Sequence, residues 1–434
     1  MRSSTRTPTG SGTRRPTRRE RDAHAPGLVT APPRGAAMAI LVAALGYFVD
    51  IYDLILFSIV RVSSLRAIGV SEADLLSTGV LLLNMQMGGM LIGGVVWGVL
   101  GDKRGRLSVL FGSICLYSVA NVLNGFVQDV GTYAALRFVA GVGLAGELGA
   151  GVTLVSELMG RESRGYGTTI IATIGICGAV VAALVGDFFD WRTAYFVGGG
   201  LGITLLLLRI GVYESGMFEQ TRAQAHVRRG NFASLFATTD RARRYVGVIL
   251  IGVPIWYAVG VLITFSPEFG RALGMAEEPS AGRAVLFAYV GLAVGDVASG
   301  LLSQLWRSRK KVVLLFLVLT VVCVGLYFSV APASLTAFYA VCTALGFATG
   351  YWAVFVTMAS EQFGTNIRAT ATTSAPNFVR GAVVLLTSAF QAATPALGVI
   401  GSGIAVGAVT IVVAFASLAV LDETFAKDLD FVEQ

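Results

Sequence analysis

Long apolar runs separated by short polar interruptions make up most of this chain. A helix of about 20 apolar residues spans the hydrocarbon core of a bilayer. Runs of that kind recur twelve times, over residues 36–60, 76–100, 107–128, 131–157, 166–187, 192–212, 244–268, 281–304, 311–330, 334–360, 369–391 and 397–420. The pattern predicts an all-α integral membrane protein with twelve transmembrane helices. The longest polar interruption, 213–243, divides them six and six. The expected organisation is a tail at 1–35, a six-helix bundle at 36–212, a linker at 213–243, a second bundle at 244–421 and a second tail at 422–434.

A repeat supports the division. SELMGRESRGYGTT begins at Ser156 and SEQFGTNIRATATT at Ser360; in both, Ser-Glu is followed by Arg seven residues after the Glu and by Thr-Thr four residues on. A looser echo pairs RAIG at 66–69 with RALG at 271–274. Two parallel, pseudo-symmetric halves with a binding site between them form a transporter architecture.

Basic residues orient the spans. With the N-terminus in the cytoplasm, the inner loops carry Lys103, Arg104 and Arg106, then Arg161 and Arg164, six arginines between 222 and 244, Arg307 through Lys311, and Arg368. The outer loops carry only Arg61, Arg66, Arg192, Arg271 and Arg283. This asymmetry places both termini in the cytoplasm of a plasma (inner) membrane protein.

The composition agrees: 55% hydrophobic, 14% charged, 53 glycines and a mean hydropathy of +0.72. A soluble domain carries about 25% charged residues. Of the formal +7, residues 1–35 account for +6, with eight arginines against Glu20 and Asp22. That tail is rich in Thr, Pro and Arg and is expected to be disordered; a basic arm on anionic lipid, a presequence and sequence upstream of a start at Met38 are its alternative readings. Cys115, Cys177, Cys323 and Cys342 sit in apolar runs without metal spacing and read as packing thiols. His24 and His226 lie outside the apolar runs, so a proton relay within the membrane must use carboxylates. The chain has no GxxxxGK[ST] loop, which argues against an ATP-driven pump.

The loop GVLGDKRGRL at 98–107 closely matches the signature of the major facilitator superfamily, G-x-L-[AG]-D-[RK]-x-G-[RK]. RFVAGVGLAGELGAGVTLVSELMGRESRG at 137–165 resembles the fourth-span block of its sugar porter and metabolite:proton symporter branches. YES at 213–215 and DETFAKDLDF at 422–431 resemble elements that follow their sixth and last spans. The resemblance implies the major facilitator fold and alternating access, with Asp102 and Arg106, Glu157 and Arg164, and Glu361 and Arg368 as gating groups. The alternative is that these are juxtamembrane charges that only set topology. The corresponding loop of the second half, GLLSQLWRSRKK, departs from the signature and carries Gln304 at the aspartate position.

Several charges fall within the apolar runs, where each costs about 2.5–3.5 kcal/mol on insertion scales and is a functional candidate by default. Asp50 and Asp53 share a helix face with Tyr47 and Phe57. Asp53 lies seven residues before the end of its span and Arg137 six after the start of its own, which puts them at similar depth. The sugar porter resemblance also singles out Asp53 and Arg137, as a proton-accepting pair. The expectation is proton coupling through Asp53 and Arg137, with Asp50 as a further proton, substrate or cation group; a permanent Asp53–Arg137 bridge is the alternative. Glu147, Asp296 and Arg380 are the other deep charges, with Thr373 and Asn377 on the face of Arg380. Arg380 is expected either to pair with Asp296 or Glu147, or to receive an anionic substrate. Trp256, Tyr257 and Tyr351 are candidate ligand contacts, although a stripe of Phe347, Tyr351 and Phe355 also suits helix packing.

The chain therefore reads as a secondary transporter of a small organic solute, an organic anion or sugar-like metabolite, driven by proton symport. A uniporter or antiporter, a lipid- or drug-moving relative, and an integral-membrane enzyme are the alternatives. No cofactor and no nucleic-acid partner are expected. The partners are substrate, proton and lipid, and the unit is a monomer.

Overall fold

The computed structural model describes residues 34–104, 106–149, 151–152, 164–213, 232–364, 366–427 and 433, all helical or connecting. The helices are α1 (Arg34–Ala67), α2 (Leu75–Arg104), α3 (Arg106–Asn124), α4 (Val130–Leu144), α5 (Arg164–Phe188), α6 (Trp191–Tyr213), α7 (Thr239–Tyr257), α8 (Ser266–Ala272), α9 (Ala281–Leu305), α10 (Arg309–Ser329), α11 (Leu335–Ala348), α12 (Trp352–Glu361) and α13 (Arg368–Val420). Among the described residues, nine helical segments are long and apolar enough to cross a membrane. The count differs from twelve for three local reasons. The run at 107–128 gives a shorter apolar helix, Ser108–Asn124. The run at 131–157 becomes α4 and a turn, and its last residues lie outside the described ones. The last two runs join as Thr370–Val420, broken where Gly398 adopts φ 66°.

Helix starts follow local chemistry. A side-chain oxygen before a helix accepts one of the backbone N–H groups left unpaired in its first turn. Asp129 accepts from Thr132 N at 2.8 Å to open α4, and Ser334 accepts from Ala337 N at 3.0 Å to open α11. Pro254 lies inside α7 and cannot donate to the ladder. Just beyond it, Ala258–Ile263 forms a π-helical turn, with Thr264 N donating to Val259 O at 3.1 Å. Between α11 and α12 the chain breaks at Gly350 and Tyr351, where Gly350 meets the backbone of Gly295 on α9.

Similar packing pairs recur along the chain. Helix α1 packs on α5 and α7 on α13; α2 packs on α4 and α9 on α11; α2 also packs on α13 and α5 on α9. Glycines set the spacing. A Cβ at Gly89 or Gly93 would strike the α4 backbone at Phe138 or Val142, and one at Gly178 would strike Phe48 and Tyr52 of α1. Trp97 Nε1 donates to Val142 O at 2.6 Å and ties α2 to α4. Such close approach through small residues is how helices gain dispersion contacts in lipid, where apolar area alone gives no preference for a helix neighbour. Cys323 and Cys342 are buried, whereas Cys115 and Cys177 lie on the outer surface.

After α13 the chain folds back. Glu423 accepts from Arg309 N at 2.9 Å, Lys310 N at 3.2 Å and the Ser308 hydroxyl. The ring of Phe425 lies under the guanidinium of Arg309, 4.9 Å from its centroid. Glu433 meets Arg244 at 3.0 Å and Arg241 at 3.2 Å.

Partial desolvation pushes the Glu423 carboxyl up, but hydrogen bonds from Ser308 and the backbone amides outweigh it and hold the group below the ordinary value. A carboxyl lowered on folding adds stability above its unfolded value, and that contribution is lost as pH falls through its folded value. Glu423→Gln should therefore cost about 1 kcal/mol, the usual worth of a helix cap, at neutral pH. The gap in melting midpoint between the purified parent and variant should close as pH drops below the ordinary glutamate value of 4.5. A pH-independent gap in a thermal-unfolding series would count against this role.

Candidate functional site

Arg380 lies on α13, twelve residues after its start, with a side chain 1% exposed. Helix α1 meets it. Arg380 Nη2 donates to Tyr47 Oη at 3.2 Å and pairs with Asp50 Oδ2 at 3.4 Å. Arg380 Nε and Asp50 Oδ1 have no protein partner. The guanidinium carbon lies 5.5 Å from the Trp352 ring and 5.8 Å from the Tyr47 ring. Tyr47, Ile51, Trp256, Tyr289, Trp352 and Arg380 line a cavity of about 20 Å³ here. That is room for one water. Trp352 Nε1 is buried and unpartnered.

Chemically the site is a cation walled by aromatic rings. Its ion pair is long and single-pronged, so the guanidinium retains a free edge. A carboxylate takes such an edge in two parallel hydrogen bonds, and a planar ring fits between tryptophan and tyrosine faces. The cavity is tied on either side. One turn before Arg380, Asn377 Nδ2 donates to Ala145 O of α4 at 2.7 Å. Eleven residues beyond Asp50, Arg61 Nη2 pairs with Glu268 of α8 at 2.9 Å, and its guanidinium lies 5.0 Å from the Phe265 ring. Thr264 Oγ1 donates to Ser58 Oγ at 3.3 Å on the same side.

The expected Asp53–Arg137 ion pair is not made. Both carboxylate oxygens of Asp53, and Nε and Nη1 of Arg137, lack a hydrogen-bond partner. Arg137 Nη2 donates instead to Gln86 Oε1, and the guanidinium lies over Phe57 at 5.0 Å and Tyr195 at 5.9 Å. The two residues remain within electrostatic reach. Similar depth did bring them to one neighbourhood; Gln86, on the intervening α2, took the hydrogen bond.

Arg380 pairs with neither Asp296 nor Glu147. Glu147 forms a two-pronged pair with Arg209 of α6, at 2.7 and 2.9 Å, and accepts from Ser113 Oγ at 3.0 Å. Asp296 accepts from Ala353 N at 2.8 Å and caps α12. Of the three aromatic candidates, Trp256 lines the cavity. Tyr257 and Tyr351 donate to Gly403 O at 2.8 Å and Ile251 O at 2.9 Å, so their hydroxyls are occupied. The break at Gly350 also ends the expected stripe of Phe347, Tyr351 and Phe355, and turns Trp352 toward Arg380 in place of Tyr351. Glu361 pairs with Arg309 at 3.4 Å, and Arg368 Nε donates to Phe363 O at 3.3 Å. Glu157 and the side chains of Asp102, Arg106 and Arg164 lie outside the described residues.

Arg209, Trp352 and the Arg61–Glu268 tie were not singled out by sequence. Arg209 lies inside the run 192–212 and met the rule that flagged the other deep charges. Trp352 was hidden by extrapolating helical period across a break. Arg61 read as a loop charge and Glu268 was passed over, because nothing local relates residues 207 positions apart.

Known proteins bear on this geometry. The chain is 27% identical over 305 residues to the "Putative niacin/nicotinamide transporter NiaP" of Bacillus subtilis, covering 67% of this chain and 73% of that protein. It is 27% identical over 324 residues to the "3-(3-hydroxy-phenyl)propionate transporter" of Escherichia coli K12, covering 70% and 77%. Its fold is similar to that of the proton:xylose symporter XylE bound to 6-bromo-6-deoxy-D-glucose, with a TM-score of 0.70 at 17% identity over 91% of this chain and 98% of that one. The Major Facilitator Superfamily model matches residues 36–387. By that match and this fold, the chain belongs to the Major Facilitator Superfamily and is an integral, multi-pass membrane transporter rather than an enzyme.

Proposed function

We propose that this transporter carries an aromatic or heteroaromatic monocarboxylate together with a proton, by alternating access of two six-helix bundles. The observation that carries the reading is the buried Arg380–Asp50 pair at the wall of an aromatic cavity. The names of the relatives add weight, since they include niacin, 3-(3-hydroxy-phenyl)propionate, gentisate and benzoate transporters.

The mechanism follows from charge balance. The Arg380–Asp50 pair is neutral as a unit. A substrate carboxylate that takes Arg380 leaves Asp50 as an excess buried anion, which costs several kcal/mol in a low-dielectric interior. A proton on Asp50 restores neutrality. Substrate and proton then cross together because either alone leaves the site charged. Asp53 and Arg137 form the next proton station, within electrostatic reach of each other and of Asp50.

Twelve spans, cytoplasmic termini and an inner-membrane location complete the reading, supported by the recurring packing pairs and the charge asymmetry of the loops. Asp102, Arg106, Glu157, Arg164, Glu361 and Arg368 act at the cytoplasmic gate, where Glu361 is buried against Arg309. Arg61 and Glu268 act at the outer gate. Tyr289 and the indole N–H of Trp352 orient the ring. The sugar reading has less support, because the cavity wall is mostly apolar and aromatic.

A thermal-shift screen of the purified protein should find stabilisation by nicotinate, benzoate or 3-hydroxyphenylpropionate and none by xylose or glucose; ligand stabilisation grows with concentration over Kd. Stabilisation by sugars alone overturns the substrate class. Arg380→Lys, which keeps the charge but loses the two-pronged geometry, should weaken benzoate binding at least roughly tenfold, a loss of about 1.4 kcal/mol. Asp50→Asn should abolish uptake driven by a pH gradient in proteoliposomes while leaving counterflow exchange of benzoate intact. Uptake that still follows the gradient removes Asp50 from the coupling step.

A further inference from the structure

Asp50 and Asp53 lie three residues apart on α1 but serve different surroundings. Asp50 meets Arg380 on α13. Asp53 points among α3, α4 and α6. A Cβ at Gly198 of α6 would overlap Asp53 Oδ1, so that glycine makes room for the carboxylate. Gly199 and Gly202 likewise accommodate Val122 and Ser118 of α3.

The groups around Asp53 share one property. Asn121 and Asn124, one turn apart on α3, are both fully buried, and all four of their amide N and O atoms lack a partner. The Tyr117 hydroxyl, one turn further back, is also buried and unpartnered. Asn121 lies within reach of the Asp53 carboxylate without completing a well-formed bond. With Asp53 and Arg137, these make nine unpartnered polar atoms on α1, α3 and α4. Protein interiors leave few such atoms, and each left bare costs about 1–3 kcal/mol. A polar pocket with several convergent donors and acceptors is where buried water is held.

The pocket has a direction. Asn124 is the last residue of α3, close to the turn that carries Asp129. On the same side, Tyr133 and Tyr195 share a hydrogen bond at 2.7 Å, and Tyr133 Oη donates to Ser64 Oγ at 3.3 Å. Both tyrosines stand between Arg137 and that end of the helices. The charged and titratable groups facing Asp53 are Asp50 and Tyr52 on its own helix, Tyr117 on α3, Arg137 on α4 and Tyr195 on α6.

We propose that α1, α3, α4 and α6 enclose a hydrated chamber around Asp53, separate from the Arg380 cavity, in which Asn121 and Asn124 hold water and lead protons to Asp53 from the Asp129 end. Protons then reach the coupling carboxylates without entering the substrate cavity. Asn121 and Asn124 are positioning residues: they touch water and proton, not substrate. A hydrated proton passes to the Asp53 carboxylate to give the neutral acid, the water that carried it stays behind, and the next proton enters from solvent at the Asp129 end. The use of these protons rests on the symport reading above; the hydration of the chamber does not.

Two measurements test this. Hydroxyl-radical footprinting of the ligand-free protein should label Tyr117, Tyr133 and Tyr195 several-fold faster than Tyr327 and Tyr257. All five are buried to the same degree, but the last two bond backbone carbonyls outside the chamber. Equal labelling of both groups overturns the chamber, and no variant is needed to see it. Asn124→Leu should lower the chamber labelling to the control rate. It should also cut pH-gradient-driven benzoate uptake at least tenfold with counterflow unchanged, and Asn124→Ser should restore both. Dry labelling with full driven uptake in Asn124→Leu overturns the proton route. Uptake by the parent protein that ignores the gradient overturns the symport reading and the route with it, while the labelling result still decides the chamber.

Discussion

A guanidinium held away from water must be answered by charge or by hydrogen bonds, and it keeps only those neighbours that answer it. Four of the buried arginines show the range of answers. Arg209 is answered most, by two bonds to Glu147 and one to Leu110 O at 2.8 Å. Arg61 is answered by Glu268 across a gap that joins the start and middle of the chain. Arg137 has one amide and two rings. Arg380 has one long pair with Asp50 and one tyrosine hydroxyl. Arg61, Arg137 and Arg380 all keep guanidinium nitrogens without a hydrogen-bond partner, and those of Arg380 and Arg137 lie beside the cavity and the chamber.

Helix breaks place the aromatic half of the site. Pro254 removes a ladder donor, and the π turn that follows lets Trp256 and Val259 both face the cavity. The break at Gly350 and Tyr351 does the same for Trp352, with Asp296 capping the new helix start. In a bilayer, freed backbone groups are tolerated only where protein re-satisfies them, so these breaks belong in the interior. The carboxylate of Asp296, which read as a candidate substrate or ion partner, is used to hold one of them.

Glycine spacing and buried charge work together. A side chain at Gly46 would strike both Arg209 and Glu147, and one at Gly175 would strike the ring of Tyr47. The close helix approach that these glycines permit is what excludes water from the charges and raises the cost of leaving them unpaired. Tight packing and strong electrostatics are therefore one feature here. Any movement of these helices past one another would change both at once.

The period and length of the apolar runs determined the all-helical membrane class, and the motif residues carried the family, because both are local properties of the chain. The rule that charge in hydrocarbon is costly was enough to single out Asp50, Asp53, Arg137, Glu147, Asp296 and Arg380. Which of these charges meet was not legible. Partner choice depends on helix rotation and on intervening residues such as Gln86, and the break at Gly350 shifts the register of everything after it. The sequence by itself thus determined which residues could not face lipid. Only the tertiary structure decided which of them answer one another, since an ion pair forms across helices that are hundreds of residues apart in the chain and a few ångströms apart in space.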